Sequence, residues 1–225
     1  WPDLAWPERE LAADRIGILG ELTFNYANVR PDDPRMEPYW ALAAKYDVPV
    51  AVHTGRGPGP GAPPRDENCC PDYNEQLGNP ELLRPILQKH PNLRIILQHF
   101  GAGARPDHLY YLEEALALLR DYPSVYIDMS IANSIGPVEA HERLLRQVID
   151  AGFADRIMFG SDNLPIDGIV ERIEAISWLS WAQRRAIFYD NAARFLRLSK
   201  EEIARHHRGA EVLNGEQAPA SGQDH

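Results

Sequence analysis

The chain has little cysteine. Only two of its 225 residues are cysteine, and they are neighbours, Cys69-Cys70. Adjacent cysteines rarely bridge, so a disulfide framework is excluded and a free thiol pair in a loop is expected. The C-x-x-C spacing of redox and zinc motifs is absent as well. Long apolar runs are also missing: none approaches the roughly 20 residues of a membrane span. Positive charge is scarce, with 23 Lys and Arg against 33 Asp and Glu, a net charge of −10. A nucleic-acid surface would be basic, so that class of partner is set aside. There is no signal-like segment and no opening methionine, since the chain starts at Trp1. Together these favour a processed chain or a fragment; a cytoplasmic location is expected.

What is present is a globular composition, 44% hydrophobic and 25% charged, in a chain long enough for one domain with a real core. The organising stretch is Val48-Pro49-Val50-Ala51-Val52-His53-Thr54-Gly55. A continuous apolar run of this length suits a strand buried on both faces, as in a parallel sheet. The terminal histidine is then aimed at the rim, where open α/β sheets and barrels place their chemistry. Leu93 to His99 and Arg156 to Asp162 repeat the design, Val125-Tyr126-Ile127 gives a shorter version ending near Asp128, and Ile16 to Leu22 gives a strand carrying Glu21.

Between these strands lie helical patterns. Residues 34–46 carry Met36, Tyr39, Trp40 and Ala43 on one face, after an Asp33-Pro34 start. Asn79-Pro80 opens a helix with Leu82, Leu83, Ile86 and Leu87; another over 107–120 carries Leu109, Leu112, Leu116 and Leu119; Pro137 opens a third, to Ala151. Helices over about 168–178 and 181–197 follow, and Ser199-Lys200-Glu201-Glu202 is a capping box for a short last helix. From Gly209 the chain is polar and aperiodic, which predicts a barrel domain over 1–208 and a disordered tail over 209–225. Residues 54–79, rich in glycine and proline, predict a long loop of the kind that covers active sites.

Strand and helix alternate without a hairpin signal, so the units are parallel βα repeats. Five are present, whereas a closed (β/α)8 barrel needs eight. The expectation is therefore an α/β fold, the C-terminal five βα units of a TIM barrel. The alternative is a complete five-stranded doubly wound sheet.

His53, His99 and Asp162 end three of the strands, and two imidazoles with a carboxylate suit a divalent metal such as zinc. Glu21 is a fourth candidate. The remaining histidines, at 90, 108, 141, 206, 207 and 225, fall in helices, turns or the tail and read as surface residues.

These motifs together resemble the metal-dependent hydrolases of the amidohydrolase superfamily, in the branch called amidohydrolase family 2. The residues that carry the resemblance are Gly20-Glu21-Leu22, Asp32 to Pro38, Val48 to Gly55, Leu97-Gln98-His99-Phe100-Gly101, Val125 to Ser130, Arg156 to Asp162 and Asn191 to Leu196. The family includes hydrolases and non-oxidative decarboxylases. The resemblance implies a distorted barrel in which His53 and Asp162 are metal ligands, His99 positions or activates water, and Glu21 lies where some two-metal relatives bridge their ions. It departs from the family in one respect: no H-x-H, the first-strand ligand pair, occurs anywhere.

The function expected is metal-dependent hydrolysis of an amide or ester of a small organic acid. Asp162 and His99 would be catalytic, His53, Asp162 and Glu21 would hold the metal (zinc first), and Arg56 and Asp128 would bind substrate, with Arg65 as a further loop candidate. The alternatives are decarboxylation of a small carboxylic acid and a catalytically silent barrel fragment. The partner is a small molecule; a homo-oligomer is compatible with this reading.

Overall fold

The structure is a computed structural model that describes residues 3–57, 70–101, 110–131 and 137–216. Five strands form one sheet: β1 (Leu19–Leu22), β2 (Val50–His53), β3 (Ile95–Gln98), β4 (Val125–Asp128) and β5 (Ile157–Met158). All four pairings are parallel and the spatial order is β1-β2-β3-β4-β5, the order of the sequence. A doubly wound sheet reverses its strand order at a switch point. This sheet has no reversal, so that alternative is excluded. Successive parallel strands with crossovers of one hand carry their helices on one face, as an arc of a barrel does.

The two faces of the sheet separate cleanly. Val50, Val52, Ile95, Leu97, Val125, Ile127 and Ile157 belong to the main core under the helices. Ala51, Ile96, Tyr126 and Met158 form a second cluster on the opposite, inner face, closed by Phe195. The pleat explains the division, because alternate residues point to opposite faces. Leu97 is wholly buried; burial of such a side chain is worth about 1.5–3 kcal/mol.

The longer helices are α1 (Ala5–Ala12), α2 (Glu37–Lys45), α3 (Arg84–Lys89), α4 (Leu112–Asp121), α5 (Val138–Asp150), α6 (Ile166–Glu174), α7 (Trp181–Arg185), α8 (Asn191–Phe195) and α9 (Lys200–Glu216), with a single helical turn at Phe24–Ala27. The helices α2 to α6, with Phe24, pack against the sheet in the main core. The apolar stripe read from the sequence buries Met36, Trp40 and Ala43, and Trp40 Nε1 donates to the Pro31 carbonyl at 2.9 Å. On α4, Leu112, Leu116 and Leu119 are buried as their spacing predicts. A π-helical turn, Ala186–Asp190, joins α7 to α8, where the sequence suggests one continuous helix.

Two side chains tie the C-terminal segment under the sheet. Asn191, fully buried, donates to the carbonyls of Ala154 and Ile157 at 3.0 and 2.8 Å. Arg94, at the N-terminal end of β3, donates to the carbonyls of Phe195 and Asp47. Buried carbonyls need such donors. The expected capping box closes the start of α9: Ser199 N–H donates to Glu202 Oε2 at 2.7 Å and Glu202 N–H to Ser199 Oγ at 3.2 Å. That helix is 17 residues long and continues past Gly209, beyond the point where the tail is expected to begin. Residues 217–225 lie outside the described residues, as do Arg65, Cys69, Leu109, His108 and the middle of the expected lid, 58–69. Among the described residues no helix is long and apolar enough to cross a membrane.

Two expectations need correction. Cys70 is disulfide-bonded, not a free thiol. His141 is not a surface residue: it is buried on the inward stripe of α5, beside Leu144, Leu145 and Val148, and neither ring nitrogen finds a hydrogen-bond partner among the described residues. Its place in a helix read as surface, but it stands one turn before Leu144 and Leu145 on the stripe that faces the core.

Burial, helped by the charge of Arg172, pushes the His141 pKa down from 6.5 to about 4. The folded state therefore keeps this ring neutral while the unfolded chain takes up a proton below pH 6.5, and stability falls as pH drops from 6.5 towards 4. His141→Leu should remove that part of the acid sensitivity. Urea unfolding should find the variant gaining more over the wild type at pH 5 than at pH 8; an equal difference at both pH values would contradict it.

Candidate metal centre

The inner face of the sheet continues past its apolar layer into polar residues at the C-terminal strand ends. His53 follows Ala51 by two residues and so shares its face; Asp128 stands in the same relation to Tyr126. Glu21 comes from β1, whose pairing with β2 is irregular between Leu19 and Leu22. Gly20 makes the close approach possible: it has φ +137°, and a Cβ there would lie 2.4 Å from the Ala51 carbonyl oxygen.

His99 reaches the site by a different route. β3 ends at Gln98, the partner of His53 across the ladder, so simple alternation would turn His99 to the helix side. Instead His99 and Phe100 take left-handed backbone conformations, φ 56° and 50°. The turn brings the His99 ring to the rim and sends Phe100 into the main core. Such conformations are costly for residues with a side chain and persist where the surroundings hold them. Here the His99 N–H donates to Asp128 Oδ1 at 3.1 Å.

The result is a tight group. One carboxylate oxygen, Glu21 Oε1, lies 2.7 Å from His53 Nδ1 and 3.3 Å from His99 Nε2. The two imidazole rings meet edge to face with centroids 4.6 Å apart. Glu21, His53 and His99 each offer a ligand atom within 4.8 Å of the others. His53 Nε2 is buried and has no hydrogen-bond partner among the described residues, an arrangement that costs energy unless something else fills the need. One carboxylate and two imidazoles are donors that divalent zinc and manganese accept. The residues present therefore fit a divalent ion.

Electrostatics bind the group together. Burial would raise the Glu21 pKa, but the hydrogen bonds and positive charge of His53 and His99 outweigh it and hold the carboxyl down at about 2. For His99 burial works against the charged ring; the hydrogen bond to Glu21 and the charges of Asp128, Glu21 and Asp162 prevail, and its pKa is raised. Burial raises the pKa of Asp128, against the Ser130 hydrogen bond and the His99 charge.

The other expected residues stand as follows. Asp162 lies just past β5 with φ 47° and is half-buried; its charge reaches His99, although it is not among the three residues grouped above. Asp128 is turned inward: Oδ1 accepts from the backbone N–H groups of His99 and Ser130 and from the Ser130 hydroxyl, the last at 2.6 Å. Arg56 is ion-paired with Glu75 and lies over the Tyr110 ring at 4.5 Å. The sequence reading missed Ser130, whose Oγ lies 2.8 Å from His99 Nδ1; its signal was the D-x-S pattern of Asp128-Met129-Ser130, a common local turn. It also missed Tyr26, which stands edge-on to His53 at 5.3 Å and to Tyr73 at 4.9 Å. The return of the long loop is anchored beside this site, where Gly55 N–H donates to the Gly78 carbonyl at 2.9 Å. A Cβ on Gly78 would collide with the Gly55 carbonyl, 1.7 Å away.

A run of parallel βα units with side chains of metal-ligating type at the C-terminal rim defines the class: a barrel-type fold of the metal-dependent enzymes. The amidohydrolase family model matches residues 6–198, and the chain belongs to that family. Among its relatives, the gamma-resorcylate decarboxylase of Rhodococcus jostii is 26% identical over 240 residues, covering 88% of this chain and 68% of that protein. The solved 5-carboxyvanillate decarboxylase of Novosphingobium aromaticivorans, complexed with manganese and 4-hydroxy-3-methoxy-5-nitrobenzoic acid, shares the fold with a TM-score of 0.54 and 20% identity, over 86% of this chain and 61% of that one. A structure from Acinetobacter baumannii described as a "probable 2-pyrone-4,6-dicarboxylic acid hydrolase", with citric acid bound, has a TM-score of 0.60 and 15% identity, over 85% and 69%. The chain thus spans only part of the barrels it resembles.

Replacing His53 by alanine should abolish retention of a stoichiometric divalent ion by the full protein after dialysis, as measured by elemental analysis. Retention equal to the wild type would remove His53 from the ligand set.

Proposed function

We propose that this chain carries the metal-binding rim of a non-oxidative decarboxylase acting on a small hydroxylated aromatic acid. The observation that carries the proposal is the shared Glu21 oxygen between His53 and His99, with a buried His53 nitrogen beside it that has no partner among the described residues. The Rhodococcus relative, matched over 88% of this chain, supports the choice of reaction.

In this reading Glu21, His53 and Asp162 hold a divalent ion. Zinc suits their donor types, and the manganese of the Novosphingobium relative supports that metal equally. The ion would supply a Lewis-acid anchor for the oxygens of the substrate. The side chains of this protein do the rest. Asp162 delivers a proton to the ring carbon that bears the carboxylate, the ring π electrons forming the new C–H bond. The C–C bond then breaks, its electron pair restores the aromatic ring, and carbon dioxide leaves. His99 presents the lone pair of Nε2 to the reacting group, where it can accept from a substrate hydroxyl and orient it. Tyr26 and Tyr73 give an aromatic wall next to His53, and Arg56 is the candidate for a further substrate anion. Asp128 supports His99 from inside the protein.

Hydrolysis is the second reading, favoured by the Acinetobacter relative. There Asp162 takes a proton from water and passes it to the leaving group, and His99 orients the water.

The test is to supply the full protein, loaded with manganese or zinc, with gamma-resorcylate and with a 2-pyrone-4,6-dicarboxylate. Carbon dioxide release matching loss of the aromatic acid is expected, and Asp162→Asn should lower kcat by about 10²–10⁴-fold, the usual reach of acid–base catalysis. Ring opening of the pyrone without any carbon dioxide from the aromatic acid would transfer the assignment to hydrolysis.

A further inference from the structure

We infer that Ser130 is a positioning residue that fixes the proton of His99 on Nδ1 and so keeps Nε2 as the nitrogen facing the metal centre. The inference deepens the reading above and rests on it for the role of His99, but its evidence is a hydrogen-bond chain that can be followed atom by atom.

The chain starts at Asp128 Oδ1. Two backbone N–H groups, of His99 and Ser130, point at this oxygen at 3.1 and 3.0 Å. A backbone N–H can only donate, and the hydroxyl oxygen of a protonated carboxyl is a poor acceptor, so with two such donors Oδ1 is the accepting oxygen and any carboxyl proton belongs on Oδ2. The Ser130 hydroxyl, 2.6 Å from the same oxygen, must then be the donor in that contact. With its one hydrogen committed, Ser130 Oγ has only lone pairs left for its second neighbour, His99 Nδ1 at 2.8 Å. Nδ1 must therefore carry the hydrogen and donate. Nε2, on the opposite side of the ring and 3.3 Å from Glu21 Oε1, is left as the nitrogen that serves the site.

Burial makes the chain decisive. Ser130 is 2% exposed, His99 6% and Asp128 8%. Water has little access to replace a lost partner, and a buried unpaired N–H carries a real penalty. The same oxygen, Asp128 Oδ1, also holds the His99 backbone in its left-handed turn, so one carboxylate sets both where the ring stands and, through Ser130, which nitrogen it offers. Histidines in metal sites commonly have their second nitrogen held by such a partner, and loss of the partner costs activity.

The test reads the ring directly. Long-range ¹H–¹⁵N correlation spectra of the full protein, metal-free and zinc-loaded, assign the His99 signals by their loss in His99→Gln. In the wild type Nδ1 should show the shift of a protonated, pyrrole-like nitrogen in both forms. In Ser130→Ala the Nδ1 signal should move towards the average of mixed tautomers, and kcat should fall by about 10–100-fold with KM changed far less, the range for loss of an outer partner. Ser130→Thr keeps the hydroxyl and should restore both the spectrum and most of the activity. A wild-type spectrum with bare Nδ1 and protonated Nε2 overturns the inference, as does Ser130→Ala with an unchanged Nδ1 signal. If Ser130→Ala does not fold, the wild-type spectrum and the threonine variant decide alone. A protein that shows the Nδ1 proton yet releases no carbon dioxide would sink the decarboxylase reading and leave this one standing.

Discussion

Everything at the rim depends on the parallel register of β2, β3 and β4. Val50, Ile95 and Val125 lie level, and so do Val52, Leu97 and Ile127. Because the register holds without a slip, the strand ends arrive together and their polar residues share one opening. A slip of one residue would turn His53 and Asp128 to the helix side and bring valine and isoleucine to the rim. The main core enforces the register from behind: Val52, Leu97 and Ile127 are buried against the helices, and none can be exchanged for the polar residue beside it without burying that residue in the core.

The polar rim is held by mutual satisfaction. Glu21 sits near two histidines, His99 is braced between Glu21 and Ser130, and Asp128 takes three donors on one oxygen. Each group alone would be a liability in a half-buried site, and together they offset one another. Among the described residues two atoms of this rim are left over, His53 Nε2 and Gln98 Oε1. The contrast with His141 is instructive. Both histidines contain buried nitrogens without partners among the described residues, but His141 stands among leucines and valine with its pKa pushed down to about 4. His53 stands beside an ionised carboxylate and a second imidazole. Burial by itself marks neither as functional; the company of the ring does.

The arc also explains the apolar ground beside Glu21. In the described residues β1 and β5 each pair with one neighbour only. Next to β1, a cavity of about 410 Å³ is lined by Glu21, Leu22, Thr23, Phe24, Ala27, Val29 and Met36. A sheet edge flanked by apolar side chains is the surface on which a further strand and helix pack in a closed barrel. The family relation and the partial span of the relatives agree with that geometry.

The sequence by itself determined the parallel βα order, since apolar runs ending in polar residues alternate with amphipathic stripes and no local signal competes with them. It also determined that Glu21, His53, His99, Asp128 and Asp162 come at the ends of strands, because that follows from where each run stops. The choice between a barrel arc and a doubly wound sheet was not legible, for the same repeats serve both and only the pairing of strands separates them. Nor was the manner in which His99 joins the site: alternation places it on the wrong face, and only the turn held by Asp128 brings it back. Ser130 and Tyr26 entered for the same reason. Their side chains matter through partners 31 and 27 residues away, His99 and His53, and contacts across such separations are created by packing, which a local pattern does not record.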